Sequence, residues 1–366
     1  MATKKIVLKR ILLSVLAVVL AIVLVVVGYL VYVIASYSRI ADKQVLVVTN
    51  NGIASSLATD TSYTIVTSNL GFGAYTQDFT FFMDGGTESR AKSKESVIDC
   101  ITQGANKALE FSPDFVLFQE VDTDSTRSHH VNQQILLADK FDNYASTFAV
   151  NYHSAYLMYP IFSPHGKSNS GIFTISKYNI DSALRRQLPI STSFSKFLDL
   201  DRCYSVSRIP VENGKELVLY NVPLSAYGNS DEIRTAQMTM LFEDMKKEYD
   251  AGNYCVCGGD FNHDFTGTST QDLNGGGSVE FGWAQPFPAE LLANYTGISR
   301  ALAYTSGIAE PTCRNCDVPY KAGNFTIIVD GFMVSDNVTV TYLKNVQTDF
   351  VYSDHNPVVM QFQLDA

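Results

Sequence analysis

Five segments of this chain end an apolar run on, or enclose within it, a carboxylate, an amide or an imidazole. Thr64-Ile-Val-Thr-Ser-Asn69 closes on an amide and Phe115-Val-Leu-Phe-Gln-Glu120 on a carboxylate. Tyr254-Cys-Val-Cys-Gly-Gly-Asp260-Phe-Asn262 brings a carboxylate and an amide two residues apart, which an extended chain points to one side. Asp330 lies inside an apolar run, and Asp354 stands beside His355 in Ser353-Asp354-His355-Asn356-Pro357. Ordinary strands also end in polar turns, so one such end carries little meaning; here the ends are chemically alike. A carboxylate in an apolar run is unfavourable unless it is paired or coordinates a cation, and several gathered together repel one another. A hard divalent ion removes that repulsion, since Mg²⁺ or Ca²⁺ takes oxygen ligands from Asp, Glu and amides. With few thiols and one obvious His in the set, zinc fits less well.

Strands must carry these residues to a common edge. Side-chain periodicity predicts strands over 63–68, 115–119, 172–176, 204–210, 216–222, 254–258, 326–334, 338–342 and 357–362, and helices over 93–110, 130–140 and 230–249. Strands interleaved with helices and closing on hairpin-like strands point to a layered α/β domain with mixed sheets and helices over the outer faces. The Gly-rich segment 267–277 reads as a surface loop, because the motifs on either side of it belong together.

The 366 residues are 46% hydrophobic and 17% charged, which excludes a disordered or fibrous chain and leaves room for one large domain or two small ones. Lys4, Lys5, Lys9 and Arg10 precede the first acidic residue, Asp42; without them 23 basic residues face 37 acidic ones, a net of about −14. So acidic a body disfavours sequence-independent binding to nucleic acid or to an anionic membrane surface, while a localised anionic ligand stays compatible with it. Segment 11–37 has no charged side chain and exceeds the roughly 20 residues that cross a bilayer. It is also longer than the apolar core of a cleaved leader, about 7 to 15 residues, so a retained anchor fits better. The four basic residues before it outnumber Arg39 and Lys43 after it, which keeps the N-terminus in the cytoplasm. The chain is thus expected to be a single-pass cell-membrane protein: a basic cytoplasmic tail (1–10), an anchor (11–37), a stem (38–61) and an extracytoplasmic domain (62–366). Cys100, Cys203, Cys255, Cys257, Cys313 and Cys316 then lie where disulfides persist. Cys313-Arg314-Asn315-Cys316 alone reads as structural thiols, free or bridged, ahead of a zinc site.

In chain order, Ser68-Asn69, Gln119-Glu120-Val121-Asp122, Gly259-Asp260-Phe261-Asn262, Asp330-Gly331-Phe332 and Ser353-Asp354-His355-Asn356-Pro357 resemble the motifs of the endonuclease/exonuclease/phosphatase superfamily. They span nearly all of the chain beyond the anchor. The resemblance implies an α/β four-layer sandwich of two packed mixed β-sheets flanked by helices, its site at one end of the sheets, here preceded by one N-terminal transmembrane helix. It implies a metal-dependent phosphoester hydrolase, with Mg²⁺ expected and Mn²⁺ or Ca²⁺ as alternatives. Glu120 would be the principal metal carboxylate, with Asn69 and Asp354 nearby, and Asp260 and Asn262 would surround the scissile phosphate. His355 would act as general base or electrostatic partner, with Asp330 holding its ring through the far nitrogen; an imidazole exchanges a proton near neutral pH, and a buried carboxylate fixes its tautomer.

One position departs from the pattern. Many family members resemble Asn-x-His-Leu-Ser-Ala where this chain has Asn221-Val222-Pro223-Leu224-Ser225-Ala226, and proline offers no side-chain donor or acceptor. A shifted register would put Tyr220 or Tyr227 in that role. Arg90, Arg127 and Lys167 lie in polar loops and suit phosphate oxygens or loop-bracing salt bridges equally. Asn151, Tyr152, Tyr156 and Tyr159 are candidates for a pocket wall, Trp283 is expected to pack inward, and Arg185 with Arg186 to face solvent. The leading reading is a phosphodiesterase or phosphatase acting on a phosphoester outside the membrane, with no protein partner inferred. The alternatives are a silent ligand-binding ectodomain, motivated by Pro223, a nuclease, which the acidic body disfavours, and a phospholipase C-like enzyme, for which no membrane-inserting hairpin is evident.

Overall fold

A computed structural model of the chain describes residues 2–49, 56–193, 196, 201–225, 231–275, 283, 285–302 and 310–366. Its first element, α1 (Ala2–Ala35), is the one helix among the described residues long and apolar enough to cross a membrane, and none of its most apolar stretch is buried. Then follow β1 (Gln44–Val45), β2 (Val48–Thr49), β3 (Tyr63–Asn69), α2 (Lys94–Leu109), β4 (Phe115–Asp122), α3 (Gln133–Lys140), β5 (Ala145–His153), β6 (Asn169–Ser176) and β7 (Ser182–Gln187). The second half supplies β8 (Cys203–Pro210), β9 (Glu216–Pro223), α4 (Asp231–Asp250), β10 (Tyr254–Asp260), β11 (His263–Asp264), β12 (Gln285–Pro286) and β13 (Ile298–Arg300). The chain closes with β14 (Cys313–Arg314), β15 (Thr326–Ile327), β16 (Asp330–Ser335), β17 (Val338–Asn345) and β18 (Val358–Leu364).

Two mixed seven-stranded sheets result, in the orders β1-β7-β8-β9-β10-β16-β13 and β17-β18-β3-β4-β6-β5-β2. Alternation along each strand divides its side chains between two cores. Ile65, Phe115 and Leu117 of one sheet meet Leu219, Val256 and Phe332 of the other between the layers. Their neighbours Val66, Val116 and Phe118 turn outward under Val97, Ile101 and Ala105 of α2. On the opposite side Val218, Cys255 and Cys257 lie under Met238, Leu241 and Met245 of α4. This is the four-layer sandwich.

Local chemistry explains where the observed elements differ from those expected. The third helix starts at Gln133, not 130, because His129 and His130 both have positive φ and Asn132 caps the helix, its side-chain oxygen accepting from Ile135 N at 3.1 Å. The single strand expected over 326–334 is interrupted: the Thr312 hydroxyl accepts from both Val329 N (2.9 Å) and Asp330 N (3.0 Å), and Phe261 N donates to the Val329 carbonyl. Strands β5 and β7 lie where no strand is expected, β7 because Ser182-Ala183-Leu184-Arg185-Arg186-Gln187 has no apolar periodicity. Arg185, expected at solvent, is wholly buried, its guanidinium donating to the carbonyls of Val150, Ile40 and Asp201. Arg186 pairs with Asp42 and Asp244. Through these bonds the stem is stitched into the domain: β1 pairs with β7 and β2 with β5, so segments read as a spacer form the edge of each sheet. All six cysteines are unpaired thiols and buried.

At Gly259 the fold depends on a missing side chain. Its φ of +149° is one that L side chains rarely adopt, and a Cβ there would lie 1.9 Å from the Val222 carbonyl oxygen of the adjoining strand. Gly259→Ala is expected to destabilise the full-length protein by more than about 2 kcal/mol in chemical denaturation. Gly267→Ala, also at positive φ but in open space, should cost only about 1 kcal/mol. Equal effects would contradict the assignment.

Candidate active site

Strand directions bring the polar ends together. β3 and β4 run parallel, so Asn69 and Glu120 emerge at one rim; β18 runs antiparallel to β3 and begins there, directly after Asp354 and His355. In the other sheet β10 ends and β16 begins at the same edge, with Asp260 and Asp330 as register partners. A cavity of about 510 Å³ opens between them, and Glu120, Asp260, Asn262, Asp354 and His355 line it. Asp330 and Asn69 stand behind this wall.

Each group is held in place. Asp330 Oδ2 lies 2.7 Å from His355 Nδ1, leaving Nε2 as the far nitrogen, 3.7 Å from Cys313 Sγ. The His355 backbone N donates to Ser353 Oγ (3.1 Å), whose hydroxyl donates to the Asn69 carbonyl (2.8 Å), tying the β18 loop to β3. Asp260 accepts from Asn262 N (2.9 Å), Asn262 Nδ2 (2.9 Å) and Asn69 Nδ2 (3.3 Å). The Asn69 side-chain oxygen accepts from Gly71 N at 3.0 Å, so Asn69 braces Asp260. Glu120 and Asn262 have φ of 55° and 51°, left-handed backbone that disfavours side chains other than Gly and Asn. At Glu120 the conformation coincides with a break in the β4–β6 register between Phe118 and Val121, a bulge that turns the carboxylate toward the cavity.

Electrostatics at the rim are strained. Burial pushes the Asp260 carboxyl up to about 7; Asp330 and Glu120 add to that, while His355 pulls against it. Asp354 rises to about 6, again through burial first and with Glu120 adding, against His355 and Arg314. Burial opposes charge on His355, yet the carboxylates of Asp330 and Asp354, together with Cys313, outweigh it and the ring binds its proton more tightly than usual. Ligating atoms of Asp260, Asp330 and His355 lie within 4.8 Å of one another, but Asp330 and His355 are already bonded to each other. Glu120, which raises both Asp260 and Asp354, and Asp354 itself are the rim carboxylates of the cavity wall not bonded to the His355 ring through Nδ1 or to the asparagine donors around Asp260. Crowded oxygen donors whose carboxyls are raised by burial first, with neighbouring carboxylates adding to it, fit a hard divalent cation.

Of the three cations expected at phosphate, Arg127 alone reaches the wall. It is engaged by buried Asp122 through Nε (3.1 Å) and Nη2 (2.9 Å) and stacks on Phe72 at 3.9 Å. Arg90 donates to the Pro164 carbonyl, and Lys167 is exposed in the loop before β6; neither lines the cavity. Tyr220 is buried beneath α4, 6.1 Å from Tyr204, and takes no part in the site; Tyr227 lies outside the described residues. Pro223 ends β9 beside Asp260. Asn151, Tyr152, Tyr159 and Trp283 line the cavity, with Trp283 packed inward against Phe325. Sequence reasoning missed Arg314. It is 1% exposed, lines the cavity and donates through Nη2 to the Thr76 carbonyl (3.0 Å), while Nε and Nη1 have no partner among the described residues. Its position inside Cys313-Arg314-Asn315-Cys316 was the available signal.

Fold and rim together define a phosphoesterase architecture. The chain belongs to the Endonuclease/Exonuclease/phosphatase family, whose model matches residues 66–355. Among solved structures it is similar to an endonuclease/exonuclease/phosphatase from Beutenbergia cavernae DSM 12333, 17% identical, TM-score 0.56, covering 83% of this chain and 72% of that one. ANGEL2, a 2',3'-cyclic phosphatase, is 14% identical with a TM-score of 0.53 over 89% of this chain and 99% of its own. D. rerio TDP2, complexed with single strand DNA product, is 14% identical with a TM-score of 0.52 over 83% of this chain and 100% of its own. At these identities the likeness establishes the fold. No curated protein matches the sequence closely enough to count as a relative. Enzymes of the family hydrolyse phosphoester bonds and generally use divalent metal ions.

The raised Asp260 carboxyl gives a pH signature in chelator. Its folded pKa of about 7 exceeds the ordinary value of 3.8, so its contribution to stability is present below that ordinary value and lost as pH rises toward 7. Asp260→Asn removes the ionisation. It should become progressively more stable than the wild type between pH 4 and pH 7, by an amount on the order of 3 kcal/mol at the upper end. A stability difference that stays flat with pH would contradict the electrostatic account.

Proposed function

We propose that this chain is a metal-dependent phosphoester hydrolase, a phosphodiesterase or phosphatase, held in the cell membrane by α1 with its domain outside the cytoplasm. The observation that carries the reading is the meeting of Glu120, Asp260, Asn262, Asp354 and His355 in one cavity wall, with Asp330 bonded to the His355 ring. The family match supports the chemistry, and the four basic residues before α1 support the orientation.

In this reading Glu120 and Asp354 hold the ion, Mg²⁺ or else Mn²⁺ or Ca²⁺, with Asn69 steadying the adjoining Asp260. A bound divalent ion polarises a phosphoryl oxygen and stabilises charge on the leaving oxygen. Asp260 and Asn262 orient the scissile phosphate and the attacking water. His355 holds its proton firmly, which favours the electrostatic role: a charged ring whose Nε2 faces the phosphoryl oxygens. Arg314 takes the place of Arg90 and Lys167 as the phosphate-binding cation, because two of its buried nitrogens have no partner among the described residues. Arg127, neutralised by Asp122, braces the wall. Pro223 leaves one customary transition-state contact unmade, an argument for slow turnover or for a domain that binds without reacting.

The full-length protein in detergent should hydrolyse bis(p-nitrophenyl) phosphate with Mg²⁺ and stop when the ion is chelated. Glu120→Gln and His355→Ala should each lower the rate by about 100-fold or more, and Arg314→Gln by about tenfold. Turnover unaltered by the first two changes would contradict their roles. No turnover in the wild type, with activity created by Pro223→His, would favour the silent binding domain.

A further inference from the structure

The cavity does not open at random with respect to α1. A hydrocarbon core about 30 Å thick takes roughly 20 helical residues, so counting from Ile11 the outer interface falls near Leu30. Tyr29 and Tyr32 stand at that level, where tyrosines favour the headgroup layer. Both are bonded into the domain. The Tyr29 hydroxyl donates to the Tyr156 carbonyl (3.2 Å) and accepts from Met158 N (3.0 Å), and Tyr156 N donates to the Tyr32 hydroxyl (3.2 Å). One turn further on, Val33 is buried against Tyr37, Tyr152 and Ala155. Tyr29 also lines the cavity that holds Glu120, Asp354 and His355. A side chain at headgroup depth is therefore part of the candidate active-site wall.

Beside it, Tyr156-Leu157-Met158-Tyr159-Pro160-Ile161-Phe162 carries no charge. The loop is clamped at its base, where Leu157 and Gly166 exchange two backbone hydrogen bonds (3.1 and 3.0 Å) and Arg90 holds the Pro164 carbonyl. Its tip projects outward: Tyr159 is 67% exposed, Ile161 77% and Phe162 fully. Its other side, Leu157 and Tyr159, joins Phe82 and Met83 in the cavity wall. Exposed apolar tips of this kind mark a binding surface, and the helix packed alongside, itself apolar enough to span a bilayer, indicates which one. The acidic body disfavours electrostatic attraction as the means of docking.

Resting on the hydrolase reading above, we infer that the substrate is a lipid phosphoester of the outer membrane surface, its phosphate reaching the acidic rim while its tail stays in the bilayer between Tyr29 and the 156–162 loop. Water supplies the oxygen of the new P–O bond as the ester P–O bond breaks. The departing oxygen leaves as an alcohol carrying one of water's protons, and the other stays with or dissociates from the new phosphate oxygen. No further reactant is required.

The test uses full-length protein reconstituted with Mg²⁺ into vesicles of phosphatidylcholine and phosphatidylglycerol, doped in turn with a phosphoinositide and a polyprenyl diphosphate, beside bis(p-nitrophenyl) phosphate as a soluble ester. At least one of these lipids should release a water-soluble phosphate or a membrane-bound alcohol. Ile161 and Phe162 line no part of the cavity, so the Ile161→Asp, Phe162→Asp double variant should lose about tenfold or more of the lipid turnover and keep its turnover of the soluble ester. Phe162→Trp should show emission quenched by brominated lipid beyond that of Trp283 in the wild type. Soluble-ester turnover with no lipid cleaved, equal loss on both substrates, or no added quenching overturns the lipid assignment and leaves the hydrolase standing. Failure on every ester overturns the hydrolase reading itself.

Discussion

Repulsion among carboxylates brought to one desolvated rim is the constraint on which the rest of this structure turns. Glu120, Asp260, Asp330 and Asp354 come from four separate segments, and two of them are pushed far above the ordinary range for Asp. Three of the four have a fixed compensation. His355 balances Asp330, Asn69 and Asn262 donate to Asp260, and Arg314 lies against the Asp354 segment, its backbone N donating to the Asp354 carbonyl at 3.1 Å. What these bonds leave uncompensated is the charge that a divalent cation supplies.

The same constraint accounts for the backbone around the rim. Left-handed conformations at Glu120 and Asn262 aim their side chains into the cavity, at Glu120 with a conformational cost of about 1 kcal/mol or more and at Asn262 with a residue that tolerates this backbone. Gly259 lets β10 run against Val222 so that Asp260 arrives beside Asp330, and Thr312 caps the amide of Asp330 where the strand would otherwise continue. Stability for this strained edge comes from elsewhere: three apolar layers, one between the sheets and one under the helices on each side, and a stem tied to the domain through buried Arg185. The bonds to the domain begin within α1, at Tyr29 and Tyr32, and continue directly after it with Arg39 donating to the Leu188 carbonyl (2.8 Å). A joint of this kind couples the orientation of the cavity to that of the helix.

Much of this was legible from the chain because strand and motif coincide: Asn69, Glu120, Asp260 and Asp330 each sit where an apolar period meets a polar end, and sheet topology did the rest. The cations of the cavity wall were legible only in Arg127. Arg90 and Lys167 lie in loops whose course depends on distant partners, and Arg314 hides between two cysteines that invite a reading as thiols. β7 escaped because Arg185 is buried by carbonyls of three other segments, a contact no local pattern encodes. Tyr156 and Tyr159 stand out in the sequence as wall candidates, but the place of the 156–162 loop beside Tyr29 follows from the docking of α1, which hydropathy alone does not reveal.

The most direct measurement is anomalous diffraction from crystals of the full-length protein soaked in Mn²⁺. A single strong peak within about 2.5 Å of carboxylate oxygens of Glu120 and Asp354, facing Nε2 of His355, is the predicted result. A peak confined to surface carboxylates, or none at that rim at neutral pH, would contradict the account.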